Sequence, residues 1–162
     1  MKTLITGGKS SQALKLLKAF TRDQVLLADY GDAPSFSSAQ YQFVSLGERN
    51  DETTAHNLLN ACLDQDAARL LPLYAFELEA VVKSAVLFEE FNIHVLLPDL
   101  LTFSQYPIGG ATNLQNWAVY DKGDLIYTSV PEIAQQYVSG LNGVFYLEET
   151  PGGLKLTLFT IS

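Results

Sequence analysis

Five short apolar runs occupy the first hundred residues, closed by glycine, aspartate or proline at four of their ends, and most of the stretches between them repeat apolar residues with helical spacing. Lys2 to Thr6 runs into Gly7-Gly8, Val25 to Ala28 into Asp29, and Tyr41 to Leu46 alternates as a third strand. Ala68 to Leu71 stops at Pro72, and Ile93 to Leu97 stops at Pro98. After a cap at Ser10 or Ser11, Leu14, Leu17 and Phe20 are expected to share one helix face. Ala55, Leu58, Leu59 and Cys62 predict a second helix over residues 51–63, capped by Asp51 or Thr53. Leu78, Val81, Val82, Ala85 and Val86 predict a third over residues 75–88. Strands alternating with helices imply an α/β domain of three-layer, Rossmann-like type with a mostly parallel sheet.

The pattern changes after about residue 103. Residues 104–116 are polar and turn-rich, and Trp117 to Tyr120 with Leu125 to Tyr127 flank Asp121-Lys122-Gly123, a hairpin signal. Pro131 suits the first turn of a short helix through Tyr137. Val144 to Glu148, Pro151-Gly152-Gly153 and Leu154 to Ile161 read as a second hairpin, with Lys155, Thr157 and Thr160 on a wet face and Leu154, Leu156 and Leu158 on a buried one. The chain is therefore expected to be one domain, residues 1–162, with a Rossmann-like body over 1–103 and a β-hairpin-rich extension over 104–162 packed on it. The tail aromatics Trp117, Tyr120, Tyr127, Tyr137, Phe145, Tyr146 and Phe159 are expected in its core.

Eighteen acidic against ten basic residues give a formal net charge of -8, which opposes a non-specific grip on phosphate backbones or anionic lipid. Neither nucleic acid nor membrane is an expected partner. The single cysteine, Cys62, falls in an apolar helical stretch and is expected to be a buried core residue in a reducing compartment. The opening MKTLITGG lacks a signal-peptide apolar region, so a cytoplasmic location is expected. His56 and His94 have no second ligand at metal spacing, and no G-x-S-x-G is present, so neither a metal site nor hydrolytic chemistry is expected.

Chemistry is best sought where strands end. Thr6-Gly7-Gly8-Lys9-Ser10 follows the first strand and opens a helix, the place where such folds hold phosphate on backbone N–H groups. The glycines are adjacent rather than spaced G-x-G-x-x-G, so a structural turn and a ligand contact both stay open. Asp29 ends the second strand about twenty residues on, where an acidic side chain can hold a ribose or simply close a strand. Tyr74 and Glu77 lie in the loop and first helical turn after the fourth strand, facing the same edge, although the helix dipole alone favours a carboxylate at Glu77. Candidate ligand-binding residues are thus Gly7, Gly8, Lys9, Ser10, Asp29, Tyr74 and Glu77, with Glu79 as a further acidic candidate, and no catalytic residue is assigned.

The runs MKTLITGGKSSQALKLLKAF, VLLADY, LLPLYAFELEAVVKSA, NIHVLLPDLLTF and NLQNW together resemble the N-terminal domain that precedes the ATP-grasp module in carboxylate-amine ligases. Thr6-Gly7, Ala28-Asp29, Pro72 with Glu77, and Leu114 with Trp117 occupy the matching places. The resemblance covers residues 1–117 and implies a pre-ATP-grasp fold. It does not extend to catalysis, because only residues 118–162 follow and the last strand, ending Phe159-Thr160-Ile161-Ser162, has no acidic residue or asparagine to hold magnesium. Lys9 also departs from the small or Arg-Ser residues often found in the family's first loop.

The expected function is a stand-alone, non-catalytic pre-ATP-grasp-like domain, needing no cofactor, that binds a small molecule or a protein partner at the strand C-terminal edge. One alternative is a reduced NAD(P)- or nucleotide-sugar-binding protein. Its usual Tyr-x-x-x-Lys pair is missing, since none of the eight tyrosines has lysine four residues on. The other is an interaction module, in which the terminal hairpin pairs with a second copy, giving a homodimer, or with a separate ligase subunit.

Overall fold

A computed structural model describes residues 1–109 and 115–161. Leu114, one of the positions carrying the family resemblance, lies outside the described residues, as do Ser162 and the centre of the turn-rich stretch.

The first sheet contains β1 (Lys2–Ile5), β2 (Gln24–Asp29), β3 (Tyr41–Ser45), β4 (Arg69–Leu71) and β5 (His94–Val95) in the order β3-β2-β1-β4-β5. Every pairing in it is parallel. The chain therefore winds outward from β1 in one direction to β3 and in the other to β5, and the reversal lies between β1 and β4. In open α/β sheets that switch point is where a crevice opens beyond the strand C-termini.

Strand residues alternate between two apolar layers because successive side chains leave opposite faces of the pleat. Leu4, Leu26, Ala28 and Leu70 pack against α2 (Thr54–Gln65), α3 (Ala75–Lys83) and α4 (Ala85–Glu90). Ile5, Val25, Leu27 and Leu71 face α1 (Ser11–Leu16) and the single 3-10 turn Leu17–Ala19. The result is the expected helix–sheet–helix sandwich. Two details differ. The buried side of α1 carries Ala13 and Leu16 with Phe20, while Leu14 is exposed, because the helix ends after six residues and tightens into the 3-10 turn. The third helix also breaks at Ser84, which serves both as the cap of α3 and as the start of α4.

The short α5 (Leu100–Phe103) leads to a second sheet of β6 (Ile108–Gly109), β7 (Trp117–Asp121), β8 (Asp124–Thr128), β9 (Gly143–Thr150) and β10 (Gly153–Phe159), ordered β6-β10-β9-β7-β8. β7–β8 and β9–β10 are the two hairpins legible in the sequence. No helix forms after Pro131, where residues 131–134 make turns only. The expected division of the last strand holds only at Lys155, which is exposed: Leu154 is exposed beside it, and Thr157 and, just past β10, Thr160 are buried with Leu158 and Phe159. The far half of β10 lies between β9 and β6 and has apolar layers on both faces, so its polar residues are enclosed with its leucines. Trp117, Tyr120, Phe145, Tyr146 and Phe159 are buried as expected, whereas Tyr137 is exposed.

Both layers continue into the second sheet: Ala118, Tyr120 and Phe145 join the layer of α2 and α3, and Trp117, Val119 and Tyr146 join that of α1. A charge network ties the sheets at the strand N-terminal edge. Arg69 Nε donates to Thr3, one terminal nitrogen to Asp121 at 2.9 Å and the other to Asp23, placing a buried guanidinium between two carboxylates. His94 adds Nδ1 to Glu89 at 2.9 Å and Nε2 to Asn142 at 3.2 Å. Asp121 Oδ1 lies 2.9 Å from the same Nε2 but off its N–H direction, so it senses the imidazole as a charge and not through a directed hydrogen bond. His94 is thus a satisfied, half-buried residue. No helix among the described residues is long and apolar enough to cross a membrane.

Candidate functional site

β1 delivers Thr6 to the C-terminal edge, where its N–H continues the ladder to Leu71 at 3.1 Å. Its hydroxyl accepts from Leu73 N–H at 2.7 Å and donates to Glu77 Oε1 at 2.5 Å. Gly7 then turns the chain with φ +66, and Gly8 lies so close to β2 that a Cβ would stand 2.5 Å from the Leu27 carbonyl carbon. Glycine is required at both positions for packing and backbone reasons that need no ligand. Ser10 caps α1, its Oγ accepting from Ala13 N–H at 3.2 Å.

Three N–H groups of this turn have internal partners. Gly8 N–H bonds Ala28 O, Ser10 N–H bonds Gly7 O, and Lys9 N–H bonds Asp29 Oδ2 at 3.0 Å. Asp29 therefore supplies, from inside the chain, the anionic oxygen that a phosphate would bring to such a turn. Its other oxygen accepts from Tyr30 N–H at 2.8 Å and from the Tyr74 hydroxyl at 2.7 Å. The Lys9 ammonium bends over the same loop to the carbonyls of Tyr30 and Asp32.

Glu77 completes a crossed pair. Tyr30, next to Asp29 on the β2 side, donates its hydroxyl to Glu77 Oε2 at 2.6 Å, while Tyr74, three residues before Glu77 on the β4 side, donates to Asp29. Each tyrosine thus serves the carboxylate of the opposite strand end, and the two links bridge β2 to β4 across the end of β1. Tyr74 N–H adds a longer bond to Glu77 Oε1 at 3.3 Å, so the carboxyl also satisfies the start of α3. Glu77 is 0% exposed. Burial raises its pKa to about 7, against the lowering effect of bonds from Thr6, Tyr30 and Tyr74. The Tyr30 hydroxyl is pushed far up by burial and by the facing Glu77 charge, and Tyr74 by burial and Asp29.

Ile161 closes the crevice from the second sheet. Its N–H donates to Leu73 O at 2.8 Å and its carbonyl accepts from Ala75 N–H at 2.9 Å, adding a parallel bridge beside Tyr74. Its Cδ1 fills the space over Gly7 where a Cβ would be only 2.2 Å away. Outside this plug, the rings of Tyr30, Tyr74 and Phe76 pack with centroids 5.3 to 5.8 Å apart, and the exposed Arg49 guanidinium lies 3.5 Å over Phe76.

All seven candidate residues thus meet at one edge. Gly7, Gly8 and Ser10 shape the turn, Lys9 and Asp29 close it, and Tyr74 and Glu77 lock it to α3. Glu79 stands apart, exposed and paired with Lys83 at 2.7 Å. The roles of Tyr30, Arg49 and Ile161 were not legible in advance. The one available signal was the pair Asp29-Tyr30 and Tyr74-x-x-Glu77, a tyrosine beside each carboxylate. Cys62 is buried, with its thiol pushed up to about 12 by desolvation. Among the described residues, no group of three or more His, Cys, Asp or Glu is placed to hold a metal ion.

No protein-family model and no curated protein matches the chain. Among solved structures, the fold is similar to that of glycinamide-RNase-transformylase T from Mycobacterium tuberculosis, with 10% identity and a TM-score of 0.44 over 95% of this chain and 55% of that one. The chain spans about half the length of the protein it matches.

Proposed function

We propose that the chain is a non-catalytic, pre-ATP-grasp-like binding domain, one unit of residues 1–162 in which the extension over 104–162 packs on the Rossmann-like body over 1–103. The observation that carries this reading is the bond from Lys9 N–H to the Asp29 carboxylate. An internal carboxylate on the turn competes with any phosphate for the same donor, and its charge repels the incoming anion. Glu77, although poised near neutral pH, is enclosed and bonded on both oxygens, so it has no path to a substrate atom. Binding falls instead to the rim of Lys9, Tyr30, Tyr74, Phe76 and Arg49, where a small molecule or a partner side chain meets three aromatic rings and two cations.

The decisive experiment incubates the purified protein with ATP and magnesium and, separately, records calorimetry with NAD(P)H. No nucleotide turnover and no heat with NAD(P)H are expected, and turnover of ATP would overturn the reading. A second reading, as a subunit-interaction module, is supported by the exposed Val86, Leu87 and Phe91 around α4 and by Leu100 and Leu101 on α5. A monomeric mass at micromolar concentration would count against self-association.

A further inference from the structure

The opposite edge of the parallel sheet carries an open cleft. It has a volume of about 490 Å³ and lies between the segment before β2, the start of β4 and β8. Lys18, Arg22 and Arg69 supply three positive charges to its lining and Asp23 one negative charge. This is unusual for the molecule. Three further clefts carry net negative linings, through Asp64 in the first, through Glu132, Glu148 and Glu149 in the second, and through Glu48, Asp51 and Glu52 against Arg49 in the third.

The sequence shows the same segregation. Residues 1–22 hold five of the ten basic residues and no aspartate or glutamate, in a chain of net charge -8. Asp23, the acidic residue of the cleft, is engaged by Arg69 and by the Thr3 hydroxyl at 2.7 Å. Arg69 donates to Thr3, Asp23 and Asp121, and the two carboxylates offset its charge, so the attraction for an anion comes from Lys18 and Arg22. Lys18 and Arg22 are exposed and supply the donors. The remaining wall is aromatic and apolar, with Phe20 beneath the Arg69 guanidinium at 5.2 Å and Tyr127 packed on Trp117 at 4.8 Å.

We propose that this cleft is a binding site for a small organic anion, a phosphate or carboxylate attached to a flat apolar body. The anionic group meets Lys18 and Arg22, and the body lies along Tyr127. The volume suits a small ligand, and a positive recess in a negative protein concentrates anions there that the rest of the surface repels. The site is separate from the C-terminal edge and stands whether or not the reading of that edge holds.

The test is a titration of the isotope-labelled protein with phenyl phosphate at low ionic strength, followed by amide NMR shifts. Saturable shifts are expected to concentrate at residues 18–23 and 126–127 and to weaken as salt is added. The double variant Lys18→Glu/Arg22→Glu should weaken binding about tenfold or more, whereas Lys83→Glu, a surface charge change on α3, should leave it unaltered. Lys18→Gln/Arg22→Gln gives the same direction with a smaller loss and keeps the test readable if charge reversal disturbs folding. Inorganic phosphate should bind more weakly than phenyl phosphate, and benzene-1,3-dicarboxylate separates a carboxylate source from a phosphate source. Binding of either aromatic anion at this cleft sustains the proposal. It is overturned if neither binds, if the shifts fall elsewhere, or if the double variant binds as well as the parent.

Discussion

The two ends of the parallel sheet handle charge in opposite ways. At the C-terminal edge, Asp29 and Glu77 are held by neutral donors, the hydroxyls of Thr6, Tyr30 and Tyr74 and the backbone N–H groups of Lys9, Tyr30 and Tyr74. At the N-terminal edge, Asp23 and Asp121 are held by a guanidinium, with an imidazole close by. Neutral donors in a dry place do not cancel a carboxylate's desolvation, so Glu77 titrates high, whereas His94 and, after it, Arg69 hold Asp121 below its ordinary range. A fold can therefore keep its usual ligand crevice in outline while its own side chains fill it, leaving the opposite edge open.

The largest expected effect breaks the charged end. Arg69→Ala leaves two part-buried carboxylates facing each other and should cost about 3–5 kcal/mol in denaturant unfolding. Gly8→Ala comes next. A Cβ there meets the backbone of Leu27 and Ala28, which cannot turn aside as a side chain could, and a loss of roughly 2–4 kcal/mol is expected.

Glu77 sharpens the contrast through pH. Its folded pKa of about 7 lies above the ordinary 4.5, so the native state binds the extra proton and this contribution to stability is complete below about pH 4.5 and lost as pH rises through 7. The linked change is on the order of 3 kcal/mol at most. Glu77→Gln, neutral at every pH and able to donate to Tyr30 and accept from Thr6, should remove this dependence and be at least as stable as the parent at pH 8. Thermal melts across pH check both. His94 gives the smaller counterpart: its pKa is raised by Asp121 and Glu89, so its contribution is present below about 6.5 and fades as pH climbs through the raised value. His94→Gln should flatten only that upper limb. The smallest effect is expected from Tyr30→Phe, which removes one hydroxyl from Glu77 and should cost about 1 kcal/mol.

Much of this architecture was legible because local signals and tertiary structure agree. Four of the five parallel strands fall within an apolar run of the sequence and β2 overruns its run by one residue at each end, and three of the runs stop at Gly7, Pro72 or Pro98, residues that cannot easily continue a ladder. The failures came where a neighbour decides the outcome. Pro131 suits a helix start, yet the chain from there to Tyr137 bends back to bridge Asp124. Thr157 alternates like a surface residue but is buried in a strand covered on both sides, and Thr160 is buried just past that strand's end. At the site, strand-end position was enough to gather the seven candidates, since the parallel order brings the ends of β1, β2 and β4 together. The crossed bonds were not legible, because which tyrosine reaches which carboxylate depends on the spacing of three strands and not on adjacency in the chain.

The claim that the C-terminal edge is dry and filled by its own side chains is tested most directly by NMR titration of the Glu77 side-chain carboxyl in the ligand-free protein. A midpoint near 7 that falls to neither side by more than about a unit is the result expected of an enclosed carboxyl served by neutral donors. A midpoint near the ordinary 4.5 would mean that water reaches Glu77, that the Tyr30–Tyr74 crossing is open in solution, and that the crevice is free for a ligand after all.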